Sequence, residues 1–259
     1  MRPVLFEVFG MPVQSYGVSK ALAGLAAAWL LSRAFARRGI PREEAYALTT
    51  SAFLWGFVGA KAYYLAENLG SLSPHDFGGT GFTWYGGFLA GGAAAVVHVR
   101  RRGLPLLTVA ALAAAPLSVA YGIGRLGCLV SGDGTYGKPS DLPWAMTFPE
   151  GVVATSVPVH PTPLYEALAA FAIAGGLWWL QKKGNPFVTV AGYLVATGVA
   201  RILVELLRTN DPVVLGLTQP QLWSLALVVA GAGVLLAARN RETPSMAVTE
   251  PQPKAPELV

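Results

Sequence analysis

Apolar residues gather in seven long runs, approximately Tyr16 to Phe35, Ala45 to Glu67, Trp84 to Val99, Leu104 to Ile123, Pro163 to Leu180, Pro186 to Leu207 and Thr218 to Ala238. Each is close to the roughly 20 residues that a helix needs to cross a bilayer core of about 30 Å. The pattern therefore predicts an all-α polytopic membrane protein of about seven transmembrane helices with an outward-facing polar loop region. The cations sort between the runs: Arg33, Arg37, Arg38 and Arg42 follow the first, Arg100, Arg101 and Arg102 the third, Lys182 and Lys183 the fifth, Arg239 and Arg241 the seventh. One topology puts all four clusters on the cytoplasmic side, with the N-terminus outside, seven crossings and the C-terminus inside. Residues 1–239 then form the transmembrane domain. Residues 240–259, Pro-, Glu- and Thr-rich without an apolar period, read as a disordered cytoplasmic tail.

Composition supports this class. The chain of 259 residues is 53% hydrophobic and 13% charged, against about 25% charged in globular proteins. The formal charge of +5 sits in clusters between apolar runs, which controls topology and does not make a phosphate-tracking stripe, so nucleic acid is not an expected partner. A single cysteine, Cys128, excludes an intramolecular disulfide, and His75, His98 and His160 have no ligand spacing, which argues against a metal site. Glu7 interrupts any signal-peptide pattern, so the first run reads as a permanent helix. No internal repeat of the transporter kind is visible. Gly86, Gly87, Gly91 and Gly92 of the third run are spaced for close helix approach.

Two polar features interrupt the apolar pattern. Gly124 to Pro149, GRLGCLVSGDGTYGKPSDLPWAMTFP, is followed by HPTPLYEA at His160 to Ala167; it reads as part of a long outward loop from Arg125 to Thr162 that borders a binding site. In the sixth run Arg201, Glu205 and Arg208 stand at i, i+4 and i+7, on one helical face. An unpaired arginine at bilayer depth costs about 2.5–3.5 kcal/mol, so Arg201 needs a partner, and Glu205 is one turn away. With Arg125 these residues put two or three guanidinium groups near the outer leaflet, in the bidentate geometry that suits a phosphate. A plain intrahelical ion pair is the alternative. Lys20 and Lys61 read as snorkelling cations. Glu166 has no intrahelical partner and is expected to bond another helix or the loop. His160, before Pro161, suits a general base or a loop anchor equally, and Cys128 suits a small buried hydrophobe. The residues alone leave open a non-enzymatic lipid- or solute-binding protein such as a transporter, although the polar groups gather near one face.

The segments SYG at Ser15 to Gly17, WYGG at Trp84 to Gly87, the GRLG to PSDLPW loop, HPTPLYEA, ARILVELLR at Ala200 to Arg208 and QLWS at Gln221 to Ser224 carry a resemblance to the prolipoprotein diacylglyceryl transferase family. The resemblance implies a multi-pass enzyme of the bacterial plasma (inner) membrane. Its substrates would be phosphatidylglycerol and the lipobox cysteine of a prolipoprotein signal peptide, and it would form a thioether and release glycerol phosphate without a cofactor. It further implies that Arg125, Tyr85, Arg201 and Glu205 are catalytic, and that Arg125, Arg201, Gly137, Tyr16, Gly86, Gly87 and His160 meet lipid or phosphate. The chain departs from the family pattern at Cys128 and Ser131, where asparagine is common, and at Asp133, Lys138, Pro163 and the spacing between Gly132 and Tyr136. Those departures suit a divergent member, or a paralogue using the same lipid donor with another acceptor.

Overall fold

The computed structural model describes residues 1–70, 72–78 and 81–239. Seven long helices stand where the seven runs predicted them: α1 Ser15–Ala36, α2 Arg42–Glu67, α3 Trp84–Arg101, α4 Leu106–Ser131, α5 Thr162–Lys182, α6 Pro186–Glu205 and α7 Gln219–Arg239. α1, α4, α5, α6 and α7 are long and apolar enough to cross a membrane; α2 and α3 fall short of that measure of hydropathy and charge. The expected tail, with Arg241, lies outside the described residues.

The packing is that of a protein solvated by lipid. Fully or nearly buried positions are mostly small, such as Ala111, Ala115, Ala167, Ala174, Ala191 and Thr189, while Leu25, Phe53, Trp55, Phe88, Leu203 and Val229 point outward. Where hydrocarbon surrounds the bundle, burying large apolar side chains brings little, and close backbone approach through small residues holds helices together. The α2–α3 pair shows this most clearly, since a Cβ on Gly86 would lie 2.3 Å from the Gly59 carbonyl oxygen and one on Gly91 2.8 Å from that of Ala52. The helix-approach reading of the third run is thereby met at Gly86, Gly87 and Gly91, and not at Gly92. α1, α4, α5 and α6 form the centre, α7 lies along α6, and the α2–α3 pair joins mainly through α1.

α4 differs from the sequence expectation. It was expected to end near Ile123, with a loop from Arg125, yet it continues to Ser131 and stops at Gly132, whose left-handed φ of 61° supplies the C-cap. Arg125 and Cys128 are therefore helical residues. Gly127 permits the extension, because a Cβ there would sit 1.8 Å from Ser19 Oγ of α1. Earlier in the same helix, Pro116 cannot donate to the Leu112 carbonyl. Gln181 of α5 serves that region, its Nε2 donating to Ala111 O at 2.7 Å and Leu112 O at 3.4 Å.

Three two-stranded hairpins, which the apolar pattern did not predict, decorate one end: β1 Val4–Val8 with β2 Met11–Gln14, β3 Met146–Phe148 with β4 Thr155–Val159, and β5 Pro212–Val214 with β6 Leu217–Thr218. The first and third turn through Phe9–Gly10 and Leu215–Gly216, all four at positive φ, and present Phe9 (97% exposed) and Leu215 (93% exposed) at their tips. The middle hairpin belongs to the segment between α4 and α5, whose small core stacks Tyr136 on Phe148 at 4.1 Å.

The α2–α3 seam predicts a sharp contrast between neighbouring glycines. Gly86→Ala is expected to lower the thermal unfolding midpoint in detergent by the equivalent of about 1–3 kcal/mol of overpacking. Gly92→Ala, whose Cβ would meet nothing within 4 Å, is expected to leave it unchanged.

Candidate active site

At the end of the bundle where α4 and α6 stop, three arginines converge on two carboxylates. Glu166, one turn into α5, has a side chain only 3% exposed and lies between α4 and α6. Arg125 Nε of α4 is 2.8 Å from Glu166 Oε2, and Arg201 Nη1 of α6 meets Glu166 Oε1 in a short contact. The Arg125 Nε–H itself points at the Tyr121 hydroxyl, 3.0 Å away, and that hydroxyl donates to Glu166 Oε1 at 3.2 Å. The Arg125–Glu166 contact is thus ionic without being hydrogen-bonded, and Glu166 Oε2 accepts no hydrogen bond.

Glu205, the last residue of α6, is the second carboxylate. Its Oε2 lies 3.0 Å from Arg201 Nη2, and its Oε1 accepts from Asn210 Nδ2 at 2.6 Å and Thr218 Oγ1 at 2.8 Å. Arg208 follows the helix, its Nε 3.9 Å from Glu205 Oε2. Its side chain is 11% exposed, and Nε and Nη1 have no hydrogen-bond partner. Burial first, then the neighbouring Arg201 charge, pull Arg208 below the usual arginine range. Three guanidinium groups therefore face two carboxylates, leaving one positive charge in excess. Lys20 of α1 adds another nearby: a Cβ on Gly124, next to Arg125, would lie 3.2 Å from its Nζ.

The segment after α4 straps this end together. Gly137 N donates to His160 O at 2.9 Å, Lys138 N to Leu207 O at 2.8 Å, and Thr162 Oγ1 to Thr135 O at 2.6 Å. Gly137 also forms an antiparallel bridge with Arg208. A Cβ at Gly137 would come 2.5 Å from the Leu207 carbonyl oxygen, so only glycine lets the strap lie this close to the end of α6.

Of the residues singled out in the sequence, Arg125, Arg201 and Glu205 come together in one cluster, and Gly137 backs it. Tyr16 adjoins it through Lys20, whose ammonium lies 4.7 Å from the Tyr16 ring centroid. Tyr85 accepts a short hydrogen bond from Gln219 of α7, the residue after Thr218. His160 is held in the strap, its Nδ1 3.4 Å from the Tyr165 hydroxyl, which accepts from Trp144 Nε1 at 2.8 Å. Gly86 and Gly87 lie elsewhere, in the seam with α2. Cys128 is buried, as a small hydrophobe would be. Sequence reasoning asked for a partner to Glu166 on another element, and the structure supplies three, Arg125 and Tyr121 of α4 and Arg201 of α6. It missed Tyr121, Asn210 and Thr218, whose only signal is a polar side chain beside an apolar run.

A family model described as prolipoprotein diacylglyceryl transferase matches residues 3–237. The phosphatidylglycerol–prolipoprotein diacylglyceryl transferase of Clostridium tetani is 31% identical over 219 residues, 82% of this chain and 87% of its own. The protein of the same name from Finegoldia magna is 31% identical over 242 residues, covering 89% and 93%. That of Methylococcus capsulatus is 32% identical over 264 residues, covering 93% and 97%.

The charge balance generates opposite stability effects at two arginine-linked positions. Glu166→Ala strands Arg125 and leaves Arg201 with Glu205 alone, and is expected to cost about 3–5 kcal/mol, read as a large fall in the thermal midpoint. Arg208→Met removes the surplus cation and leaves Glu205 its other three partners, so the midpoint is expected to hold or rise.

Proposed function

The chain belongs to the prolipoprotein diacylglyceryl transferase family, and from that premise we propose that it moves the diacylglyceryl group of phosphatidylglycerol to the lipobox cysteine of a prolipoprotein. The acceptor sulfur forms a bond to the terminal glycerol carbon, the carbon–oxygen bond to phosphate breaks, and glycerol phosphate departs. The thiol proton leaves to a base. The phosphate passes from a monoanionic diester to a monoester able to carry a second negative charge.

The single observation that carries this reading is the surplus cation, with unpartnered nitrogens on Arg208 beside Arg201 and Arg125. Guanidinium groups that already have fixed partners are pre-organised, and donors aimed at developing charge need not reorganise during the reaction. In the proposed site Arg125, Arg201 and Arg208 face the phosphate, while Glu166 and Glu205 hold them. Tyr85 and Tyr16 stand at the margins, and Gly137 keeps the strap against α6. His160 and Tyr85 are the two candidates for the base that takes the thiol proton.

The placement follows from charge. The helix directions bring the cations at 33–42, 100–102 and 182–183 to one end and the arginine–carboxylate cluster to the other. Under the positive-inside rule the cation-rich end faces the cytoplasm, so the site opens toward the outer leaflet of the inner membrane, with the N-terminus outside. α2 and α3 then cross as a glycine-seamed pair. α3, at 18 residues, spans about 27 Å.

The direct test incubates purified protein with phosphatidylglycerol and a lipobox peptide and reads the diacylglyceryl mass increment. Arg125→Ala is expected to abolish product. Arg208→Met is expected to lower turnover by about 10²–10³-fold in a protein that remains at least as stable. Full turnover by Arg125→Ala, or an inactive wild-type chain in an assay validated with a relative, would sink the assignment.

A further inference from the structure

At the opposite end of the bundle, the last turns of α1 and α5 and the second turn of α4 enclose a hollow of about 570 Å³. Arg33, Arg37, Arg38 and Lys182 line it together with Trp29 and Trp178, and no carboxylate among the described residues does. None of these four cations forms an ion pair among the described residues. The contrast is with Glu44, on the same end, which pairs with His98 and Arg102.

Two of the guanidinium groups are already positioned. Arg33 lies over the Trp29 ring, 4.2 Å from its centroid. Arg38 Nη2 donates to the Gln181 carbonyl at 2.9 Å, and Gln181 is itself tied to α4 through Ala111 O. Each guanidinium has five N–H donors, so most remain for an anion. Topology control accounts for cations in the connections between helices. It does not account for four of them sharing one indole-walled hollow without a counter-charge among the described residues, where each raises the cost of the others.

We propose that this hollow binds the phosphate headgroup of an anionic phospholipid from the leaflet at the cation-rich end, a site separate from the Glu166 cluster. The arginines and Lys182 take the phosphate. The indoles of Trp29 and Trp178 sit at headgroup level, where tryptophan is favoured, and the acyl chains run down past Leu30. Bound there, the lipid supplies the counter-charge that the described residues do not, and clamps α1 against α5.

The test places the full chain in phosphatidylcholine nanodiscs carrying a trace of photoactivatable phosphatidylglycerol, and maps cross-linked peptides by mass spectrometry. Labelling of residues 29–38 and 178–182 is expected to exceed that from a photoactivatable phosphatidylcholine by on the order of tenfold. It should fall to the phosphatidylcholine level in R33Q/R37Q/K182Q and persist in R100Q/R101Q/K183Q, which removes the same charge from the same end. Equal labelling of the wild-type chain by the two probes overturns the proposal whatever the variants do. Loss of labelling in the second variant overturns it too, by showing that only net charge matters. Suppression by millimolar soluble glycerol phosphate also overturns it, making the hollow a site for a free phosphate.

Discussion

A single buried carboxylate holds this end of the bundle in register. Glu166 receives Arg125 from α4 and Arg201 from α6, so three helices are joined at one point. Two guanidinium groups this close repel each other strongly in a low-dielectric setting. Without the carboxylate between them, α4 and α6 could not both bring an arginine to the same place. The geometry has consequences outward: α4 must stay helical past Arg125, α6 must end at Glu205, and the strap must lie flat enough at Gly137 to close over both.

Much of this was legible in the sequence because the hydropathy signal is coarse and robust. All seven helices lie where apolar runs predicted them, and the Arg201–Glu205 pair follows from one-turn spacing. The end of α4 was not legible, since Gly124, Arg125, Gly127 and Gly132 punctuate the segment as a loop would. What keeps it helical is tertiary: Gly127 admits Ser19 of α1, and Glu166 neutralises Arg125. The hairpins were hidden for a different reason. The two-residue turns of the first and third place Phe9 and Leu215 at positive φ, where asparagine or aspartate would have announced a turn. Glu166 was visible as a carboxylate in need of a partner, but the identity of partners on two other helices is not encoded in local spacing.

The α2–α3 seam links packing to the candidate chemistry. Gly86 and Gly87 are matched by resemblance to a lipid-binding motif, yet their α-carbons lie against Gly59 and Gly56 of α2. Tyr85 precedes them on the same helix. Because the glycines fix the rotation and depth of α3, they also fix where the Tyr85 hydroxyl meets Gln219. Side chains at these positions would shift Tyr85 along with the helix, so a packing role here is also a positioning role.

The pairing of arginines with acids bears on how such a site works. Three bare guanidinium groups would bind a phosphodiester tightly before any bond had broken, and binding of ground state and transition state alike does not accelerate the chemical step. Glu166 and Glu205 lower the net charge of the cluster to one positive excess. That excess matches the monoanionic lipid of the proposed reaction. As the carbon–oxygen bond breaks, negative charge grows on the departing oxygen, and the attraction grows with it. The acids thus shift the advantage toward the later, more highly charged state, while holding the donors in the orientation that state requires.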